Sequence, residues 1–152
     1  MADSQIVLFA CTGNYYRSRY AELYFNARAI PALGWRAKSR GFQLSAENAG
    51  PIAPCVPDRF ATLGLFISPE MRFPLQLQEQ DLARASRIIA LDVVEHRPYV
   101  ETLFPAWWHR IDYWRIPDVD GMPVDQALCL IEREVDALLD QLTAPDHTTY
   151  GD

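Results

Sequence analysis

Strand-like runs and amphipathic stretches alternate along this sequence, and that alternation restricts the fold more than any other feature. Strands are predicted over residues 6–10, 35–41, 87–91 and 111–116, and helices over 19–29, 77–85, 93–103 and 124–142. Pro51, Pro54 and Pro57 introduce a further short helix that ends near Gly64. In the last helix Val124, Leu128, Ile131, Val135, Leu138 and Leu142 form one stripe, and Pro123 with Asp125 marks its start. Strands alternating with helices predict an α/β fold, a four-stranded parallel sheet flanked by helices on both faces. In such sheets ligands bind beyond the carboxyl ends of the strands.

The junction between the first strand and the first helix reads Cys11-Thr12-Gly13-Asn14-Tyr15-Tyr16-Arg17-Ser18. A loop passing from a strand end into a helix start turns successive backbone N–H groups inward and makes a nest for an anion. The first helical turn adds unpaired N–H donors and the positive end of the helix dipole. Gly13 and Asn14 are the residue types that best tolerate the positive φ such a wrap needs. Arg17 supplies a planar fork that pairs with two phosphate oxygens at once. Helix N-termini and neighbouring cations favour the thiolate form of a cysteine. Cys11 is therefore a candidate nucleophile, aimed at the phosphorus of the anion the loop binds. Ser18 can donate to that sulfur or cap the helix. Taken alone, a cysteine after an apolar strand is simply a small core residue. The ordered set at this junction is what points to chemistry. No Gly-Lys-Ser/Thr closes the segment, so it is not a nucleotide-binding Walker loop.

The 152 residues suit one domain, spanning 1–152. A formal charge of −6 argues against a general nucleic-acid binder. No apolar run reaches membrane-spanning length, and residues 1–4 do not read as a signal peptide. Three cysteines, Cys11, Cys55 and Cys129, without CxxC spacing argue against a disulfide scaffold or a zinc site, and for a reducing, cytoplasmic setting. Residues 143–152 are expected to fray.

Residues 6–22 resemble the signature of the low-molecular-weight protein tyrosine phosphatases, a strand followed by Cys-x-Gly-Asn-x-Cys-Arg-Ser-Pro and then Met-Ala-Glu. Thioredoxin-coupled arsenate reductases and bacterial arginine phosphatases share that signature. Cys11, Gly13, Asn14, Arg17, Ser18, Ala21 and Glu22 match it. Ser39-Arg40-Gly41, Asp81-Leu82-Ala83, Ile88-Ile89-Ala90-Leu91-Asp92 and Ile116-Pro117-Asp118 resemble later family segments, so the likeness runs through nearly the whole chain. The resemblance implies a phosphate-binding loop after the first strand. It also implies a phosphomonoester phosphatase that needs no metal or cofactor and works through a phosphocysteine. Its substrate would be a phosphotyrosine protein or a small phosphomonoester, and phosphate or sulfate could occupy the site; no nucleic-acid or membrane partner is implied. Cys11, Arg17 and Asp118 would be catalytic, with Asp118 as general acid and then base. Thr12, Gly13, Asn14, Tyr15, Tyr16 and Ser18 would bind the substrate. Asp120 is a rival acid, and before Gly121 it also reads as a turn residue.

Several positions depart from the family pattern. Tyr16 replaces a cysteine that can protect the nucleophile from overoxidation. Arg19 replaces a proline, and either adds charge near the site or sits on the helix surface. Val119 replaces the proline after the acid. Arg72 falls where some members carry a histidine that supports the loop, in a network Ser39 can join. Tyr15 sits where the family sets substrate class, and can stack on an aryl group or crowd the mouth. The aromatic block from Trp107 to Trp114 reads as core packing or as an exposed partner surface. His96 and His109 read as surface or structural residues. Two other readings stay open, an arsenate reductase and a phospho-binding module without turnover. The first normally needs further cysteines after the third strand, and none lies between Cys55 and Cys129.

Overall fold

β1 (Gln5–Cys11) lies inside a four-stranded parallel sheet of order β2-β1-β3-β4, with β2 at Trp35–Gly41, β3 at Arg87–Ala90 and β4 at Ile111–Tyr113. The computed structural model describes residues 5–143. The N-terminal residues 1–4 and all but the first of the residues expected to fray lie outside the described residues. Among the described residues, five α-helices connect and follow the strands: α1 (Arg17–Arg28), α2 (Cys55–Leu63), α3 (Glu79–Arg84), α4 (Val93–Leu103) and α5 (Val124–Thr143).

The period of two along β1 assigns its side chains to two cores. Val7, Phe9 and Cys11 point into one core with Tyr20, Tyr24 and Phe25 of α1, Val56 and Phe60 of α2, and the α5 stripe from Ala127 to Leu138. Leu8 and Ala10 point into the other, against Leu82, Val100 and Ile88. Both faces are covered, as a parallel sheet requires.

Three differences from the sequence expectations have physical causes. α1 begins at Arg17, two residues earlier than the apolar spacing suggests, because its first turn is buried by polar contacts. β4 ends at Tyr113, and the next residues leave the sheet to cross the start of α4, where Arg115 pairs with Asp92. The aromatic block divides. Trp114 packs on Phe9, with ring centroids 5.5 Å apart, and Trp107 and Tyr113 join the second core. Trp108 is 65% exposed, beside a groove of about 620 Å³ at the β4 edge that contains neither Cys11 nor Arg17.

Candidate active site

The loop after β1 sits where the chain order reverses, between β2 and β3, at the carboxyl ends of the strands. Its carbonyls bond outward. Cys11 and Thr12 accept from the amides of Phe42 and Gln43, both at 2.9 Å, and Tyr15 accepts from Ala53 at 3.0 Å. Among the described residues, the amides of Gly13, Asn14, Tyr15 and Tyr16 find no acceptor within the protein. That is the polarity of an anion nest. Asn14 takes the left-handed turn, with φ 52°, whereas Gly13 does not. Gly41 at the end of β2 lets the loop approach. A Cβ there would lie 2.8 Å from the Thr12 carbonyl oxygen and 3.0 Å from the Asn14 nitrogen.

Asn14 is fully buried, and its side chain uses both ends. Its Oδ1 accepts from Arg72 Nη1 and the Leu75 amide, each at 3.0 Å. Its Nδ2 donates to Ser18 Oγ at 2.8 Å and Ser39 Oγ at 2.9 Å. Arg72 and Ser39 also bond Glu22, so Arg72 does stand in the supporting network. Because Ser18 Oγ accepts from Asn14, its own hydrogen is free for Cys11 Sγ, 2.9 Å away. The Ser18 amide lies 3.4 Å from the same sulfur. Ser18 is thus a sulfur donor inside the helix rather than a cap. Two groups therefore point at one sulfur.

The pocket holds about 290 Å³ and is lined by Cys11, Gly13, Tyr15, Tyr16, Arg17 and Asp118, with Ala53, Cys55 and Val119 among the other walls. Thr12, Asn14 and Ser18 stand outside that lining, and their side chains hold the loop from behind. Tyr15 is pinned by its hydroxyl to the Ala49 carbonyl at 2.6 Å and forms a wall. The Tyr16 hydroxyl is buried and without a partner among the described residues, and burial pushes its phenol up. Asp118 Oδ2 lies 3.6 Å from Arg17 Nη2, and its side chain is half exposed. Asp120 is exposed and does not line the pocket.

Arg17 is almost fully buried. Its Nη1 donates to Glu95 Oε1 at 3.0 Å and the Ile116 carbonyl at 2.9 Å, and its Nη2 donates to Glu95 Oε2 at 2.8 Å. Burial alone would raise the Glu95 carboxyl. Hydrogen bonds from His96, Arg17 and Thr12 outweigh it and hold the group well below the usual carboxylate range. The stability this pairing contributes is present at neutral pH, and it fades only as pH falls through that lowered value. Sequence reasoning missed Glu95, which at the start of α4 reads as an ordinary first-turn acid after the Asp92 cap.

Arg19 is not on the helix surface, and its charge does lie near the site, where it acts on Cys11 without lining the pocket. Its guanidinium is buried and donates to the Pro51 carbonyl at 2.9 Å, the Arg72 carbonyl at 2.8 Å and the Asn14 carbonyl at 3.4 Å. Burial draws its pKa down to about 10. It ties the anion loop to two neighbouring loops. Arg19→Met should destabilise the protein by roughly 2–4 kcal/mol, since it strands three carbonyls. Urea unfolding measures this; a change within about 0.5 kcal/mol, normal for an exposed helix residue, would contradict the tie.

Comparison with solved structures adds a family likeness to this geometry. A low-molecular-weight protein tyrosine phosphatase from T. tengcongensis is 28% identical, with a TM-score of 0.73 over 91% of this chain and 99% of that one. One from Streptococcus pyogenes is 19% identical, with a TM-score of 0.79 over 95% and 97%. The chain has the fold of the low-molecular-weight protein tyrosine phosphatases. Phosphatases of other specificity share that fold: the YwlE arginine phosphatase from Geobacillus stearothermophilus is 21% identical, with a TM-score of 0.73 over 91% and 92%. No family sequence model matches the chain, and no curated protein does. Among the described residues no helix is long and apolar enough to cross a membrane.

Proposed function

We propose that this protein is a cysteine-dependent phosphatase that hydrolyses aryl phosphomonoesters, phosphotyrosine in proteins above all, in a reducing compartment such as the cytoplasm. The observation that carries this reading is the shared pocket of Cys11, Arg17 and Asp118 at the mouth of an inward-facing amide nest. The Cys11 thiolate attacks phosphorus as the P–O bond to the leaving group breaks. Arg17 and the loop amides hold the equatorial oxygens. Asp118 gives its proton to the departing oxygen. The resulting carboxylate then takes a proton from water, whose oxygen attacks the phosphocysteine. Phosphate leaves, and the thiolate and the protonated acid are restored. Aryl esters are favoured because Tyr15, Tyr16, Ala53 and Val119 wall the pocket with apolar and aromatic surface.

Thiol-based arsenate reduction is a weaker reading. Cys55 shares the pocket, but burial pushes its thiol up, against the thiolate that a relay needs. Cys129 lies on α5, its sulfur accepting from Arg59 at 3.3 Å. Initial rates on phosphotyrosine peptides, phosphoarginine peptides and arsenate with thioredoxin separate these activities. Fastest turnover on phosphotyrosine is expected, and none on it would end the proposal.

Asp118→Asn should slow hydrolysis strongly for poor leaving groups and much less for activated aryl phosphates, which depart without a proton. A burst followed by slow turnover is also expected, because the same residue activates water. If Asp120→Asn shows this leaving-group dependence and Asp118→Asn does not, the acid is Asp120.

A further inference from the structure

We propose that Glu95 is the positioning residue for Arg17: its carboxylate takes one edge of the guanidinium so that the opposite edge faces the anion beside Cys11. The proposal rests on the phosphatase reading of that pocket. It follows from counting donors. A guanidinium has five N–H groups. Both Nη1 hydrogens are committed, to Glu95 Oε1 and the Ile116 carbonyl, and one Nη2 hydrogen goes to Glu95 Oε2. The uncommitted pair is Nε–H and the second Nη2–H, which lie parallel on one edge and match two phosphate oxygens. Glu95 therefore does not fill the edge that phosphate needs.

Glu95 is itself held. The His96 ring is fully buried, stacked on Phe42 with centroids 5.4 Å apart. Its Nδ1 accepts the Asp92 amide at 3.0 Å, which puts the ring hydrogen on Nε2. That nitrogen lies 3.1 Å from Thr12 Oγ1 and 3.4 Å from Glu95 Oε2. The Thr12 hydroxyl donates to Glu95 Oε2. The Glu95 amide also bonds the Asp92 cap at 3.1 Å. One turn of α4 thus fixes the carboxylate, the carboxylate fixes Arg17, and Thr12 ties the assembly back to the anion loop.

The sign of the effect makes the role testable. A nearby carboxylate acting only through its charge repels phosphate, so removing it would tighten binding. A positioning carboxylate gives the opposite result. The affinity of the full chain for inorganic phosphate, measured calorimetrically, should fall about tenfold or more in Glu95→Ala, as when a clamp is misplaced. Glu95→Gln, nearly isosteric, should move the same way and serves if the alanine variant folds poorly. In the Arg17→Ala background, removing Glu95 should bring no further weakening, because there is nothing left to position. Unchanged or tighter phosphate binding in both single variants would overturn the proposal. So would a weakening that persists without Arg17. Phosphate binding needs no turnover. A wild-type protein that binds phosphate through Arg17 and Glu95 but hydrolyses nothing would end the phosphatase reading and leave this one standing.

Discussion

Cys11→Ser should abolish hydrolysis of para-nitrophenyl phosphate while inorganic phosphate still binds. The substitution removes the sulfur nucleophile and leaves the amide nest, Arg17 and Glu95 in place. A serine hydroxyl at this site lacks a base, since its neighbour Ser18 donates toward position 11 rather than accepting from it. The fold should persist, because the exchange is small and the Asn14 network does not pass through the sulfur. Rates and calorimetric phosphate titration on one preparation give both halves. Undiminished hydrolysis would remove the thiol from the mechanism. Lost phosphate binding would mean that the sulfur shapes the loop rather than reacting in it.

Arg17→Lys keeps the charge and should still be severely damaging. A lysine ammonium is a point charge with three rotatable donors and no planar fork. It cannot serve Glu95, the Ile116 carbonyl and two phosphate oxygens at once, as the five donors of Arg17 can. Transition-state stabilisation of roughly 3 kcal/mol or more should be lost, comparable to deleting one oxyanion donor, which is on the order of a hundredfold in kcat/KM. Near-normal kcat/KM in this variant would show that Arg17 is not the phosphate clamp.

Much of this architecture is legible in the sequence because local pattern and tertiary fold agree. β2 and α4 fall on their expected residues, 35–41 and 93–103. The α5 stripe is buried at Leu128, Ile131, Val135 and Leu138. The order of cysteine, asparagine, arginine and serine also locates the anion loop, although it leaves open whether Ser18 serves the sulfur or caps the helix. What escapes is whatever depends on long-range pairing. Arg19 looks like a surface residue because nothing local reports carbonyls that arrive from positions 51 and 72. Glu95 looks like a helix-dipole acid because its partner is 78 residues earlier. The one available signal for it was topological. β3 lies beside β1, so the first turn of the helix after β3 must face the loop after β1. The start of α1 misled for a related reason, as buried Arg17, Ser18 and Arg19 break the amphipathic spacing where the site is built.

The covalent intermediate tests the phosphocysteine mechanism most directly. Asp118→Asn protein mixed with an activated aryl phosphate, quenched within the first turnover and digested, should yield one phosphorylated peptide, carrying the phosphoryl group on Cys11. Intact-mass analysis should show one phosphoryl group per chain, accumulating with the burst. Phosphate release with Cys11 unmodified throughout, or with the label on any other residue, would contradict it.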